Sequence, residues 1–310
     1  MNILGKRYLF FALSLLLIIP GLVVLINQAI QKELPLSIDF TGGSLFEVQF
    51  DTANPTPEEI IALYEDQGMS DVQVQTTDKG SLLIRSSFVD NDTRDLILSS
   101  MESQFASAVT VLRLDSVGPS IGKQVASRAA IAVGFAALAV IIYITYAFRG
   151  IQHAFRYGMC AIIAMMHDVA IVFSLVTLGG IFFGWEIDAL FLTALLTVIG
   201  FSVQDKIVVF DRIRENAGIL RRLNFEALVN HSIIQTLQRS INTQLMTVEF
   251  LLLAMALMGG ITLREFSVIL LVGLLSGTYS SIFIAAPILV LWEKQEWRTW
   301  FRRKEQNGTV

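Results

Sequence analysis

Apolar residues in this chain come in long runs rather than in the short periods of a soluble fold. Tyr8–Gln31 carries no charge for 24 residues, and Phe266–Trp292 carries none for 27. Four further runs lie between them, each about as long as the ~20 residues that cross the hydrocarbon of a bilayer as a helix. The pattern predicts six membrane-spanning helices at 8–31, 125–148, 157–183, 188–210, 240–261 and 264–292. The first run is longer than the apolar core of a signal peptide, lacks a small-x-small cleavage site and is expected to be retained. Pro20-Gly21 marks an expected kink within it.

Residues 32–124 read differently. Ser44–Phe50 alternates as a strand. Thr56-Pro57-Glu58-Glu59 opens a helix with a hydroxyl cap, a proline in the first turn and acids at its positive end. Asp71–Thr77 and Leu82–Ser86 form two strands joined through Asp78-Lys79-Gly80. Asp92–Phe105 is a second helix, expected to turn Leu96, Ile97, Met101 and Phe105 inward, and Val109–Leu114 is a fourth strand. The order β-α-β-β-α-β is that of a ferredoxin-like domain. Glycine-bearing junctions flank it, with Gly42 and Gly43 before the first strand and Gly118, Pro119 and Gly122 after the last. They read as turns or as hinges.

Composition sharpens this division. Only 16% of the 310 residues are charged, well below the roughly 25% of soluble domains. From Ile30 to Ser127 there are 15 Asp and Glu against 6 Lys and Arg, so the inserted domain is acidic. Of the 23 Lys and Arg, 15 fall in the N-terminal stretch, the loop at 149–156, the segment 206–239 and the tail 293–310. Positive charge in short loops marks the cytoplasmic side. Both termini and the polar helical segment 211–239 are therefore expected in the cytoplasm, and the acidic domain outside. A single cysteine, Cys160, leaves no intramolecular disulfide and no cysteine metal site.

The chemistry gathers around Ile199–Asn216. Asp205 lies where an apolar helix turns charged, flanked by Gln204 and Lys206. An intramembrane carboxylate is an ion or proton site, half of a buried pair, or a headgroup-wetted helix end. Ala194, Val198, Phe201, Ser202, Asp205 and Arg212 share one helical face. Arg239, Asn242, Met246 and Glu249 share another, within an arc of about 80°. These two faces are expected to meet. His167 and Asp168 point about 100° apart on the third span and suit a polar interhelical contact better than a metal site. Gly273 and Gly277, four residues apart on the sixth span, suit close helix packing. No H-E-x-x-H, G-x-S-x-G or G-x-x-x-x-G-K signature is present, so no enzyme activity, nucleotide or other cofactor is expected.

The run I-G-F-S-V-Q-D-K-I-V-V-F-D-R-I-R-E-N at 199–216 resembles the fourth-helix signature of the SecF family of preprotein-export membrane subunits. Both glycine junctions, His167-Asp168, Arg239-Ser240-Ile241-Asn242-Thr243 and Gly277–Phe283 resemble SecF at the corresponding places. The chain departs at Gln204, where the family usually has Asn, and at Lys206, where it usually has a small hydroxyl residue. The resemblance implies half of an RND-like membrane fold, a bacterial cytoplasmic membrane location and work driven by the proton gradient. It also implies SecD as heterodimer partner, with the Sec channel complex, accessory subunits, unfolded preprotein and lipid as further partners, and no nucleic acid. It assigns proton conduction to Asp205 and Arg239, with His167, Asp168, Ser202, Gln204 and Asn242 as supporting polar residues. Glu249 has no family role. Two other readings stand beside this one: a half-size RND-type exporter of small molecules, and a passive scaffold for a SecD partner.

Overall fold

The computed structural model of the chain describes residues 3–31, 34–69, 71–77, 80–147, 149, 154–244, 250–258 and 261–295. A 3-10 turn, Leu4–Lys6, leads into helix α1, Arg7–Gln31, which continues through Pro20. Then come α2 (Ile38–Thr41), β1 (Gly43–Phe50), α3 (Pro57–Asp66), β2 (Val72–Thr76), β3 (Leu82–Ser86), α4 (Asn91–Phe105) and β4 (Val109–Val117). The helices α5 (Pro119–Ala147), α6 (Ala154–Phe183), α7 (Ala189–Ile219), α8 (Phe225–Gln244), α9 (Phe250–Met258) and α10 (Ile261–Ser280) follow. A π-helical segment, Ser281–Ala285, joins α10 to α11 (Ala286–Glu293). The chain divides into two compact units, Leu36–Ala132 and the remainder.

In the unit Leu36–Ala132 the strands form one antiparallel sheet in the order β2-β3-β1-β4. Alternation along β1 turns Phe46 and Val48 into a core with Ile60, Leu63 and Tyr64 of α3, Ile84 of β3, and Ile97 and Met101 of α4. The α3 start is a full capping box: the Thr56 hydroxyl accepts from the Glu59 N–H, and the Glu59 carboxylate accepts from the Thr56 N–H. Asp90 caps α4 by accepting from the Thr93 N–H at 2.9 Å. Leu96 corrects the expected inner face of α4. It is 59% exposed, because the face centres on Ile97 and Met101 and Leu96 lies one 100° step away. Burial pushes the Tyr64 phenol above its ordinary range.

The two glycine junctions are in contact with each other. Gly42 has φ +75°, and a Cβ there would lie 2.7 Å from Pro119 Cα. A Cβ on Gly122 would lie 2.5 Å from the Gly42 backbone nitrogen. Gly43 pairs with Val117 across the sheet, and a Cβ on it would lie 2.7 Å from the Ser86 carbonyl oxygen. Gly118 faces open space. Three of these glycines are thus required by close approach of backbone to backbone.

Among the described residues five helical stretches are long and apolar enough to cross a membrane: Pro119–Ile144, which begins in the unit Leu36–Ala132, and, in the other unit, Leu4–Gln31, Phe155–Phe183, Ala189–Ile219 and Leu263–Glu293. The expected span 240–261 falls on the end of α8, on α9, and on residues 245–249 and 259–260, which lie outside the described residues, as does Glu249. The polar segment 211–239 is divided differently from expectation. The helix of the fourth span runs on to Ile219, the chain turns, and α8 then passes 239–240 without a break. The change from polar to apolar marks a change of surroundings, whereas the helices end at 220–224, where the Asn224 side chain accepts from the Ala227 N–H.

Helix contacts are set by small residues. A Cβ on Gly273 would meet Val198 at 2.3 Å, and one on Gly277 would meet Ser202 Cα at 3.3 Å, so α10 lies directly on α7. Gly21 likewise brings α1 onto α6 at Ser174. At one end of this unit, Glu226 of α8 binds both Lys294 and Arg7, which holds its carboxyl below the ordinary glutamate range.

The residues 36–132 carry their own core and are expected to fold alone as a soluble fragment. Within that fragment Gly122→Ala should lower stability by about 1–3 kcal/mol, because the added methyl has only backbone to displace. Chemical denaturation followed by circular dichroism measures this, and an unchanged midpoint would refute the close-approach account.

Candidate functional site: two buried carboxylates

Helices α6, α7 and α10 each contribute polar side chains to one buried cluster. Asp168 of α6 is its centre and is 1% exposed. Lys206 of α7, fully buried, places Nζ 2.7 Å from Asp168 Oδ2. The hydroxyls of Ser202 and Ser280 donate to the same oxygen, each at 2.7 Å. Ser276 donates to Oδ1 at 2.7 Å, and His167 Nδ1 lies 3.1 Å from that oxygen. The His167 ring stacks on Tyr279 at 6.1 Å between centroids. Lys206 Nζ also donates to the Ser202 hydroxyl at 2.5 Å and to the Ser202 carbonyl at 3.2 Å.

The spacing explains how the elements build this cluster. Ser202 and Lys206 are one turn apart on α7, and Ser276 and Ser280 are one turn apart on α10. Each pair therefore presents both groups to the same side. Gly277, lying between the two serines of α10, lets that helix approach Ser202. A carboxylate taken out of water needs its lone pairs filled and its charge matched. Three hydroxyls, an ammonium and an imidazole do both here.

Asp205 belongs to a second, smaller cluster. It is 7% exposed. Its Oδ1 accepts from Ser240 of α8 at 2.8 Å, and its Oδ2 accepts from Ser281 of the π segment at 2.5 Å. The Ser281 hydroxyl also lies 2.9 Å from the Thr278 carbonyl oxygen, a second acceptor within reach. Among the described residues Asp205 has no ion-pair partner.

These positions separate the expected site residues. Asp205, Ser202 and Asp168 are buried in the two clusters, and half-buried His167 lies beside Asp168. Arg239 is exposed on α8, one residue before Ser240, and is not brought to Asp205. Gln204 and Asn242 are also exposed and touch neither carboxylate. The expected meeting of the Asp205 face with α8 does occur, but it is made by Ser240. Helical arcs cannot resolve one-residue rotations, and packing decides which of two neighbours points inward. The ion pair Asp168–Lys206 was not anticipated, nor were Ser276, Ser280 and Ser281 as carboxylate donors. One signal was available: a lysine inside an apolar helix requires a counter-charge, and Asp168, read as a supporting polar residue, was an acid on another span. Among the described residues no group of three or more His, Cys, Asp and Glu side chains converges as a metal site would require.

A family model described as protein export membrane protein SecD/SecF, C-terminal, matches residues 97–295, and one described as the SecD/SecF GG motif matches residues 30–53. This chain belongs to the SecD/SecF family. It is 68% identical to the protein translocase subunit SecF of Anaerolinea thermophila over 98% of this chain and 97% of that one. It is 43% identical to SecF of Thermobaculum terrenum over 100% and 99% of the two chains. The crystal structure of SecDF from Thermus thermophilus, a translocon-associated membrane protein, superposes with a TM-score of 0.79 at 31% identity. That match covers 95% of this chain and 39% of the longer SecDF chain. As a SecD/SecF protein with five membrane-length helices among its described residues, the chain is a membrane protein. The first family model spans both carboxylate clusters, and the glycine-motif model contains Gly42 and Gly43.

Lys206→Met should lower stability by about 3–5 kcal/mol, since it leaves the Asp168 charge buried and unmatched. Adding Asp168→Asn to that variant should restore part of the loss. Thermal midpoints of the four proteins in detergent test this coupling, and additive losses would show that the two side chains do not act as a pair.

Proposed function

We propose that this chain is the SecF-type subunit of a bacterial protein-export translocase, paired with a SecD partner and driven by the proton-motive force in late steps of preprotein movement. The SecD pairing is supported by the 34% identity to one portion of the Thermus thermophilus SecDF chain, in which the two names are joined. The Sec channel complex and unfolded preprotein are the further partners in this reading, and the chain itself catalyses no chemical reaction. The domain 36–132 is ferredoxin-like in this reading, because its chain order places a helix after β1 and after β3 and its sheet runs β2-β3-β1-β4. Residues 240–261 supply a sixth span. Both termini then face the cytoplasm, in agreement with the positive-inside distribution. Cysteines placed at Glu65 and Asn307 should label from opposite sides of the membrane, and labelling from one side would remove the six-span arrangement.

The observation that carries the proton role is the difference between the two carboxylates. Asp168 has an ammonium beside it, which favours its charged form. Asp205 has two hydroxyls, which serve either form. When Asp205 takes a proton, Ser281 can turn its hydrogen to the Thr278 carbonyl and accept from the new acid. When the proton leaves, Ser281 can donate to the carboxylate again. Neither state strands a buried polar group.

Arg239 fits into this cycle through rotation. It is about 100° from Ser240 on the helix, so turning α8 exchanges a hydroxyl beside Asp205 for a guanidinium. The guanidinium would favour proton release. Helix rotation and protonation are thereby linked, and that linkage is what a gradient-driven export subunit requires.

Asp205→Asn keeps the shape of the protonated acid and cannot cycle. It should abolish proton-gradient stimulation of translocation into inverted vesicles while leaving the protein folded and partnered. Arg239→Met should do likewise, with Arg239→Lys retaining some activity because the charge remains. Full stimulation in the Asp205→Asn protein would reduce the chain to a scaffold.

A further inference from the structure

We infer that the cage around the Lys206 ammonium is an alkali-cation site that the chain fills with its own side chain. Every hydrogen-bond partner of Nζ is an oxygen: Asp168 Oδ2 at 2.7 Å, the Ser202 hydroxyl at 2.5 Å and the Ser202 carbonyl at 3.2 Å. The Ser280 hydroxyl stands 2.7 Å from the same Oδ2 and is a further oxygen at its edge. The one imidazole in the cluster, His167, lies on the other carboxylate oxygen.

This is the donor set of a dehydrated hard cation. A single carboxylate supplies one negative charge, and hydroxyl and carbonyl oxygens complete the shell. That balance suits a monovalent ion, because a divalent ion would be left with uncompensated charge in an apolar surrounding. The cage is also built to persist without the lysine. Its oxygens come from α6, α7 and α10, and the approach of α10 to α7 is set by Gly273 and Gly277, not by the ion pair alone.

A tethered cation differs from a free one in a single respect, which is that it cannot leave. Lys206 is fully buried and Asp168 is 1% exposed, so the charge at this position does not exchange with solution. Lys206 is therefore the residue that closes this site to sodium and potassium.

The distinction from an ordinary buried ion pair is experimental. An ordinary pair, once its ammonium is removed, leaves a carboxylate that takes a proton and has no preference among salts. A cation cage, once emptied, takes an ion. The full-length chain in detergent is compared as wild type, Lys206→Ala, Lys206→Met and the double variant Asp168→Asn with Lys206→Ala. Thermal midpoints are read in sodium, potassium and choline chloride at equal ionic strength. The Ala variant, which has lost both charge and bulk, should show a midpoint several degrees higher in sodium or potassium than in choline, rising with ion concentration. Wild type should show no such preference. Neither should the Met variant, whose side chain still fills the cage, nor the double variant, which lacks the carboxylate. Recovery of the folded Ala protein only in sodium or potassium would also support the site. The inference is overturned if the Ala variant melts alike in all three salts, if the double variant responds equally, or if the Ala variant folds in none of them.

Discussion

The burial of the Asp168 charge constrains the membrane unit more than any other single interaction. A carboxylate between apolar helices loses the water that would fill its lone pairs, and the loss is tolerable only if the surrounding helices replace that water in full. Each replacement group must come from a helix held at a definite rotation and height. Ser202 and Lys206 fix the face that α7 turns toward α6. Ser276 and Ser280 fix the face of α10. Slipping any of these helices by one residue would carry its donors about 100° away and leave an ionised group in hydrocarbon. The apolar contacts that surround the cluster, such as Val172, Val198 and Leu274, are far less particular, since lipid tails and side chains are nearly equivalent surroundings for them. The polar cluster thus supplies register, and the glycines supply the closeness that lets short serine side chains reach.

Two adjacent positions on α7 then serve opposite purposes. Asp205 and Lys206 are neighbours in sequence, so a helix turns them to different partners. The same division recurs opposite them, where Ser280 donates to Asp168 and Ser281 donates to Asp205. One pair of contacts is closed by an ion pair and the other is left to hydroxyls. A carboxylate matched by an ammonium and a carboxylate held only by hydroxyls are placed side by side on one pair of helices.

How much of this was legible in the sequence follows from the range of each signal. The hydroxyl cap at Thr56, the pairing of the two strands around Gly80 and the alternation of β1 are written within a few residues, and they appeared as read. Five of the six expected apolar runs coincide with membrane-length helices among the described residues, because length in an apolar run is itself a physical requirement. Gly273 and Gly277 were recognisable as packing residues from spacing alone. The failures concern rotation. Leu96 and Ile97 are both apolar, and only packing selects between them. Arg239 and Ser240 are both polar, and the charged residue was expected where the hydroxyl is found. Lys206 and Asp168 are 38 residues apart, and no local pattern joins them. Serines within an apolar run look like helix-packing residues until the acid they serve is placed.

The π segment shows why one of those serines is where it is. Pro287 has no N–H to offer the Phe283 carbonyl, and its ring crowds that carbonyl, so an α-helical ladder cannot pass through this turn unchanged. The helix widens over Ser281–Ala285 instead and then resumes. Ser281 opens that segment, and its hydroxyl also reaches the Thr278 carbonyl in the last turn of α10. That carbonyl is the alternative acceptor on which a two-way hydroxyl at Asp205 depends. Ser281 thus has two acceptors within reach, the Asp205 carboxylate on a neighbouring helix and the Thr278 carbonyl on its own, and its place at the start of the π segment sets the hydroxyl between them.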